Sequence, residues 1–155
     1  MATTALDFKQ KLFGDLKNTA GITDLLGPIA ATNFRIYSSF PQQQPELTGY
    51  EPAEGWIVFY DLATTSPFGE IYQDASYQFN VYSTKQTIGD QVAAKMRDLW
   101  QSAAEQDGQA ITSDWFILFA QEILSQDLYE DSRKLYRKLL NWQFRLLKQP
   151  YRVGA

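Results

Sequence analysis

The residues of this chain that could do chemistry are carboxylates: Asp61 with Asp74, and Glu51 with Glu54, either as general acid and base or as a magnesium site. There is no histidine and no cysteine. Their absence removes disulfides, thiolate nucleophiles, imidazole bases and the ligands that zinc, copper and haem sites usually need. No glycine-rich phosphate loop is present either, because Gly21 and Gly27 lack both the spacing and the lysine. Nothing in the sequence fixes the separation of the carboxylates, and isolated acids in strands and loops are far more often solvated surface than catalytic groups. The residues therefore point to a non-catalytic protein with no catalytic, metal-binding or cofactor-binding site.

A chain of 155 residues can bury roughly two thirds of its unfolded surface around one core, so a single domain over residues 1–155 is expected. Hydrophobic residues at 45% and aromatics at 15%, against 21% charged, predict a folded domain with an aromatic core rather than disorder. The N-terminus has no apolar run behind a basic segment, and no stretch approaches the ~18 apolar residues of a membrane span. A soluble protein, intracellular when made and without a membrane partner, is the expectation. The net charge of −4 hides a split. Residues 1–131 hold all 18 acids and 7 bases, a balance of −11, while residues 132–155 hold no acid and 7 bases. That basic end could touch nucleic acid, pair head to tail with the acidic body of a neighbouring subunit, or pair with acids of its own fold. Nucleic acid fits least, since the protein is acidic overall and its aromatics do not interleave with the bases.

The elements that position these groups follow from periodicity. Ala5, Phe8, Leu12 and Leu16 predict a helix from Thr4 to Asn18, with Gly21 ending it. Phe34 to Tyr37 reads as a strand. The segment from Ser38 to Gly55, with Pro41, Pro45, Pro52 and Gln42-Gln43-Gln44, exceeds the ~12 to 15 residues of an idle connection and reads as a functional loop. Trp56 to Leu62, apolar on both faces, and the alternating Ile71 to Tyr82 predict an antiparallel hairpin around the turn at Ser66-Pro67-Phe68-Gly69. Thr87 and Asp90 resemble a capping box for a helix carrying Ile88, Val92, Met96, Leu99 and Ala103 and ending near Asp107-Gly108. Trp115 to Ala120 reads as a further strand.

The last segment fits two periods. As a helix it would group Leu135, Leu139, Trp142 and Leu146, but would bury Gln143 and leave Phe144 among charges. As a strand from Tyr136 to Leu147, Leu140, Trp142, Phe144 and Leu146 alternate with Asn141, Gln143 and Arg145, and the strand is preferred. The predicted fold is α+β, a mostly antiparallel sheet with two helices on one face, in the order αβββαββ. Trp56, Trp100, Trp115 and Trp142 are expected in the core, with one of them a possible interface anchor, and Tyr129 and Tyr136 are expected to brace the last turn.

The stretch from Tyr77 to Trp100, YQFNVYSTKQTIGDQVAAKMRDLW, places an alternating strand directly before an amphipathic helix. The acidic run Asp127 to Asp131 precedes Tyr136-Arg137 and the apolar Leu140, Trp142 and Phe144, and the opening helix leads into Ile22 to Gly27 and then Arg35 to Tyr37. In these features the chain resembles the phage tail terminator, or tail completion, family over most of its length. The resemblance implies a structural protein of the virion tail, present in host cytoplasm during assembly, and a ring of identical subunits, six in number. Such a ring sits on the last ring of tail-tube protein, stops further polymerisation, presents its other surface to the head-tail connector, and lets DNA pass through its lumen without specific binding. On this reading Gln42, Gln43, Gln44, Tyr50, Arg133, Lys134 and Lys138 are the candidate contacts with a neighbouring subunit or the tube. Alternatives are another connector or neck protein of the virion and, further off, a carboxylate-based enzyme.

Overall fold

Phe8, Leu12 and Leu16 recur at four-residue spacing in the first helix, α1 (Thr4–Lys17), and all three are fully buried. In the computed structural model, residues 4–26, 36–37, 55–65, 72–101, 109–110, 115–131 and 134–148 are described. The α1 helix stops at Lys17, and the chain re-enters a helix, α2 (Ala20–Leu26), over a stretch expected only as a connection. Thr19 makes the corner. Its hydroxyl donates to the Asp15 carbonyl at 2.7 Å, and its own carbonyl accepts from the amides of Ile22 and Thr23. Gly21 does not end the first helix but lies inside the second, where an added Cβ would meet Lys95 Cε at 3.1 Å. Glycine there permits the close approach of that lysine stem.

Among the described residues, six strands form one sheet in the order β1-β2-β3-β6-β5-β4. They are β1 (Ile36–Tyr37), β2 (Gly55–Thr65), β3 (Tyr72–Ser83), β4 (Gln109–Ala110), β5 (Trp115–Glu130) and β6 (Leu135–Lys148). Of these described strands β1 and β2 run parallel, and the pairs β2–β3, β3–β6, β6–β5 and β5–β4 are antiparallel. The hairpin of β2 and β3 runs from Gly55 opposite Ser83 to Thr65 opposite Asp74. The last segment is a strand, as its period of two indicates, and it lies between β3 and β5.

The boundaries of β5 and α3 differ from expectation. β5 does not stop at Ala120 but continues to Glu130, through register shifts between Ile117 and Phe119 and between Glu122 and Leu124. Its second half has no clean alternation, and it is a strand because β6 offers it a continuous ladder down to Glu130 opposite Leu135. The third helix, α3 (Gln86–Met96), begins at Lys85 as N-cap with no side-chain cap, so the expected capping box does not form. Ser83 donates instead to the Lys85 carbonyl at 2.7 Å, and Asp90 turns to Lys138. After Met96 the helix widens into a π turn, Arg97–Gln101, which brings Trp100 to the centre of the core and leaves Leu99 at its margin.

The fold is thus α+β, with the observed order ααβββαβββ in place of αβββαββ, the additions being α2 and the two-residue β4. The main core joins Phe8, Ile22, Val92 and Trp100 of the helices to Phe59, Tyr77, Phe79, Trp142 and Phe144 of the sheet. Some of its rings meet edge to face, Phe8 and Phe144 at 4.8 Å and Trp100 and Trp142 at 5.4 Å, while Phe59 and Phe79 stack at 5.3 Å. A second, small cluster of Trp56, Val58 and Leu135, with Tyr37 and Tyr82 against it, holds residues of opposite parity on the strands and hence the other sheet face.

Candidate interaction surface

Strand β6 carries much of the basic end of the chain into the middle of the sheet, so its bases meet acids from both neighbours. Lys138 Nζ bonds Asp90 of α3 at 2.7 Å and Asp127 of β5 at 3.2 Å. Burial works to lower the pKa of that ammonium, but the hydrogen bonds to the two carboxylates outweigh it, leaving it above the usual lysine value. Arg145 grips Asp74 through two bonds of 2.8 and 3.1 Å, and this hydrogen bonding raises its pKa. Arg137 donates twice to Asn80 Oδ1, at 2.9 and 2.7 Å, and lies over the Tyr82 ring. Lys138 and Arg145 therefore close on acids of their own fold.

The pairing of Asp74 also bears on catalysis. Asp61 stands opposite Tyr77, while Asp74 lies three residues from Tyr77 on β3, so the two carboxylates project from opposite sheet faces. They form no joint acid-base or metal site. Glu51 and Glu54 lie outside the described residues. Among the described residues, no group of three or more carboxylates could hold a metal ion, and no helix is long and apolar enough to cross a membrane.

What the described surface does offer is apolar. Leu118, Phe119, Ile123 and Leu124 of β5 are exposed, Ile123 at 52%, and they come as two adjacent pairs, one at each register shift. Each shift adds an unpaired residue to the strand, so neighbours that would alternate between faces are both left in solvent. At the end of the strand Tyr129 and Tyr136 face each other across the hairpin with ring centroids 5.0 Å apart, both exposed. They brace the corner, as expected, and also present aromatic surface. Two acids beside these side chains are matched within the fold: Glu122 by Arg97 at 2.6 Å and Asp127 by Lys138.

Of the contact residues expected from sequence, Lys134 is exposed at the β5–β6 corner with φ 54°, and Lys138 lies in the bridge just described. Gln42, Gln43, Gln44, Tyr50 and Arg133 lie outside the described residues. The four tryptophans were expected in the core, and Trp56, Trp100 and Trp142 are buried there. Ile123 and Leu124 fall beyond the strand end expected at Ala120, and the exposure of Leu118 and Phe119 inside it follows from a register shift that an unbroken apolar run does not reveal. The doublet Ile123-Leu124, which breaks period two, was the available signal.

No family model and no curated protein matches the sequence. Among solved structures, the fold is similar to that of a chain in the virion of a native gene transfer agent (GTA) particle, with a TM-score of 0.66 at 11% identity. The match covers 95% of this chain and 99% of that one, so the two share a whole fold rather than a fragment.

Proposed function

We propose that this chain is a non-catalytic structural protein of a phage-like virion, and within it a tail terminator. In that role identical subunits, six to a ring, cap the tail tube, stop its polymerisation and give the head connector a surface to join. The observation that carries the virion reading is the end-to-end likeness of fold to a component of the gene transfer agent virion. The terminator role rests on the sequence resemblance along Tyr77 to Trp100 and around Tyr136-Arg137. The described surface supports the same reading: Asp61 and Asp74 project from opposite faces with Asp74 bonded to Arg145, and the exposed apolar side chains suit a protein partner.

The work of such a protein is geometric, requiring complementary shape and charge at subunit, tube and connector contacts. Candidate contacts are Lys134, exposed at the hairpin corner, with Gln42, Gln43, Gln44, Tyr50, Arg133 and Lys138. DNA passes through the lumen without specific binding. Deleting the gene in a producing strain and imaging the particles tests the role. Tails of uncontrolled length lacking heads are expected; tails of normal length joined to heads would overturn the terminator reading.

A further inference from the structure

The large apolar side chains exposed among the described residues gather at two places toward opposite edges of one sheet. The first is the β5 strip of Leu118, Phe119, Ile123 and Leu124, with the two tyrosines at its end. The second is Leu62 of β2, 47% exposed, in a run from Asp61 to Thr64 that is exposed throughout. β1 pairs with β2 only at Ile57 and Val58, and β4 pairs with β5 only at Phe116 and Ile117. Among the described residues, the stretches from Asp61 to Thr64 on β2 and from Leu118 to Leu124 on β5 lie past those positions.

We propose that these are two halves of one contact, in which the β5 edge of one copy of this chain meets the Leu62 edge of the next. The inference rests on the reading of the protein as a ring of copies and names the surfaces that would close it. Different patches on one chain that fit each other make a heterologous contact, which generates a ring when its rotation closes. Two strands, β3 and β6, separate the patches within one subunit, so β2 and β5 lie about 14 Å apart at ~4.8 Å per strand. One copy cannot satisfy both patches by itself.

Size and charge favour a protein of this kind as occupant. Six roughly half-exposed large side chains leave on the order of 500 Å² of surface, a large part of the ~800 Å² that each partner gives to a stable interface. Two acids of β5 beside the strip, Glu122 and Asp127, already have cationic partners. The exposed Asp61 of a neighbour would therefore meet no uncompensated carboxylate from those two residues.

The chain has no cysteine, so introduced thiols report the contact without background. In the double variant Leu62→Cys/Ile123→Cys the two sites of one subunit are too far apart to bridge, since a disulfide needs Cα atoms within about 7 Å. Oxidation of the concentrated full-length variant, and of particles assembled with it, should give a ladder of three or more linked copies on a non-reducing gel. Each single variant should give only monomer. Monomer alone from the double variant in both samples would overturn the proposal, as would abundant dimer from Ile123→Cys alone, which would mean like edges meet. Variant present in particles without a ladder sinks the contact and leaves the virion role standing. A ladder from concentrated protein that never enters particles upholds the contact and removes the virion role.

Discussion

The indole N–H of Trp100 donates to the Asp15 carboxylate at 3.0 Å, joining the π turn to the first helix across 85 positions of sequence. Asp15 also holds Lys11 at 2.9 Å, and Trp100 is fully buried. One carboxylate thus fixes the helix layer against the ring that fills the core.

Replacing Asp15 by alanine should leave the buried indole N–H without its acceptor and cost about 1–3 kcal/mol. Asp15→Asn, which keeps a carbonyl oxygen in reach, should lose less. Urea unfolding monitored by tryptophan fluorescence separates the two; equal losses would mean that the hydrogen bond is not what holds the turn.

At Gly55 an added Cβ would collide with the main-chain oxygen of Tyr82 on the paired strand. Backbone cannot move aside as a flexible side chain can, so Gly55→Ala should destabilise by about 1–3 kcal/mol. It should also disturb the Trp56–Tyr82 stack, 5.2 Å between centroids, one residue along. A thermal midpoint unchanged from the parent protein would contradict this.

Lys134 adopts a left-handed conformation at the β5–β6 corner, φ 54°, which costs an L-residue about 1–2 kcal/mol. Lys134→Gly should relieve that strain, with part of the gain offset by the added freedom of the unfolded chain, for a net rise of up to about 1 kcal/mol. Lys134→Val should move stability the other way. Chemical denaturation of the three proteins side by side decides it, and valine matching lysine would contradict the strain.

The phenol of Tyr77 is held above its ordinary pKa of 10.0, first by burial and then by the negative charge of Asp61. The folded state thus binds that proton more tightly than the unfolded chain, so the stability linked to it is fully present below about pH 10 and lost above it. Lys138 has the same sign, its stabilisation being lost as pH rises beyond the usual lysine value of 10.5. Unfolding free energies measured across the alkaline range should fall above about pH 10, less steeply in Tyr77→Phe. Identical slopes would remove Tyr77 as a source of the alkaline loss.

Where side-chain burial follows a local period, the sequence alone determined the element. Phe8, Leu12 and Leu16 mark one stripe of α1, and Leu140, Trp142, Phe144 and Leu146 mark one face of β6, because those positions must leave water together. The alternation of β3 was legible for the same reason, with Ala75, Tyr77, Phe79 and Val81 all buried. Absence of histidine and cysteine was likewise settled by composition.

Tertiary structure alone decided the rest. The second half of β5 is exposed on most positions and has no period of its own; its conformation comes from main-chain bonds to a strand further along the chain. The charge split had the same fate. In sequence the bases after residue 131 all follow the last acid, yet the sheet order sets β6 between two acid-bearing strands. Arg145 there finds Asp74, 71 positions away, and Lys138 finds Asp90 and Asp127. Which charges neutralise one another depends on distances of a few ångströms in space, and strand pairing sets those distances between residues far apart along the chain.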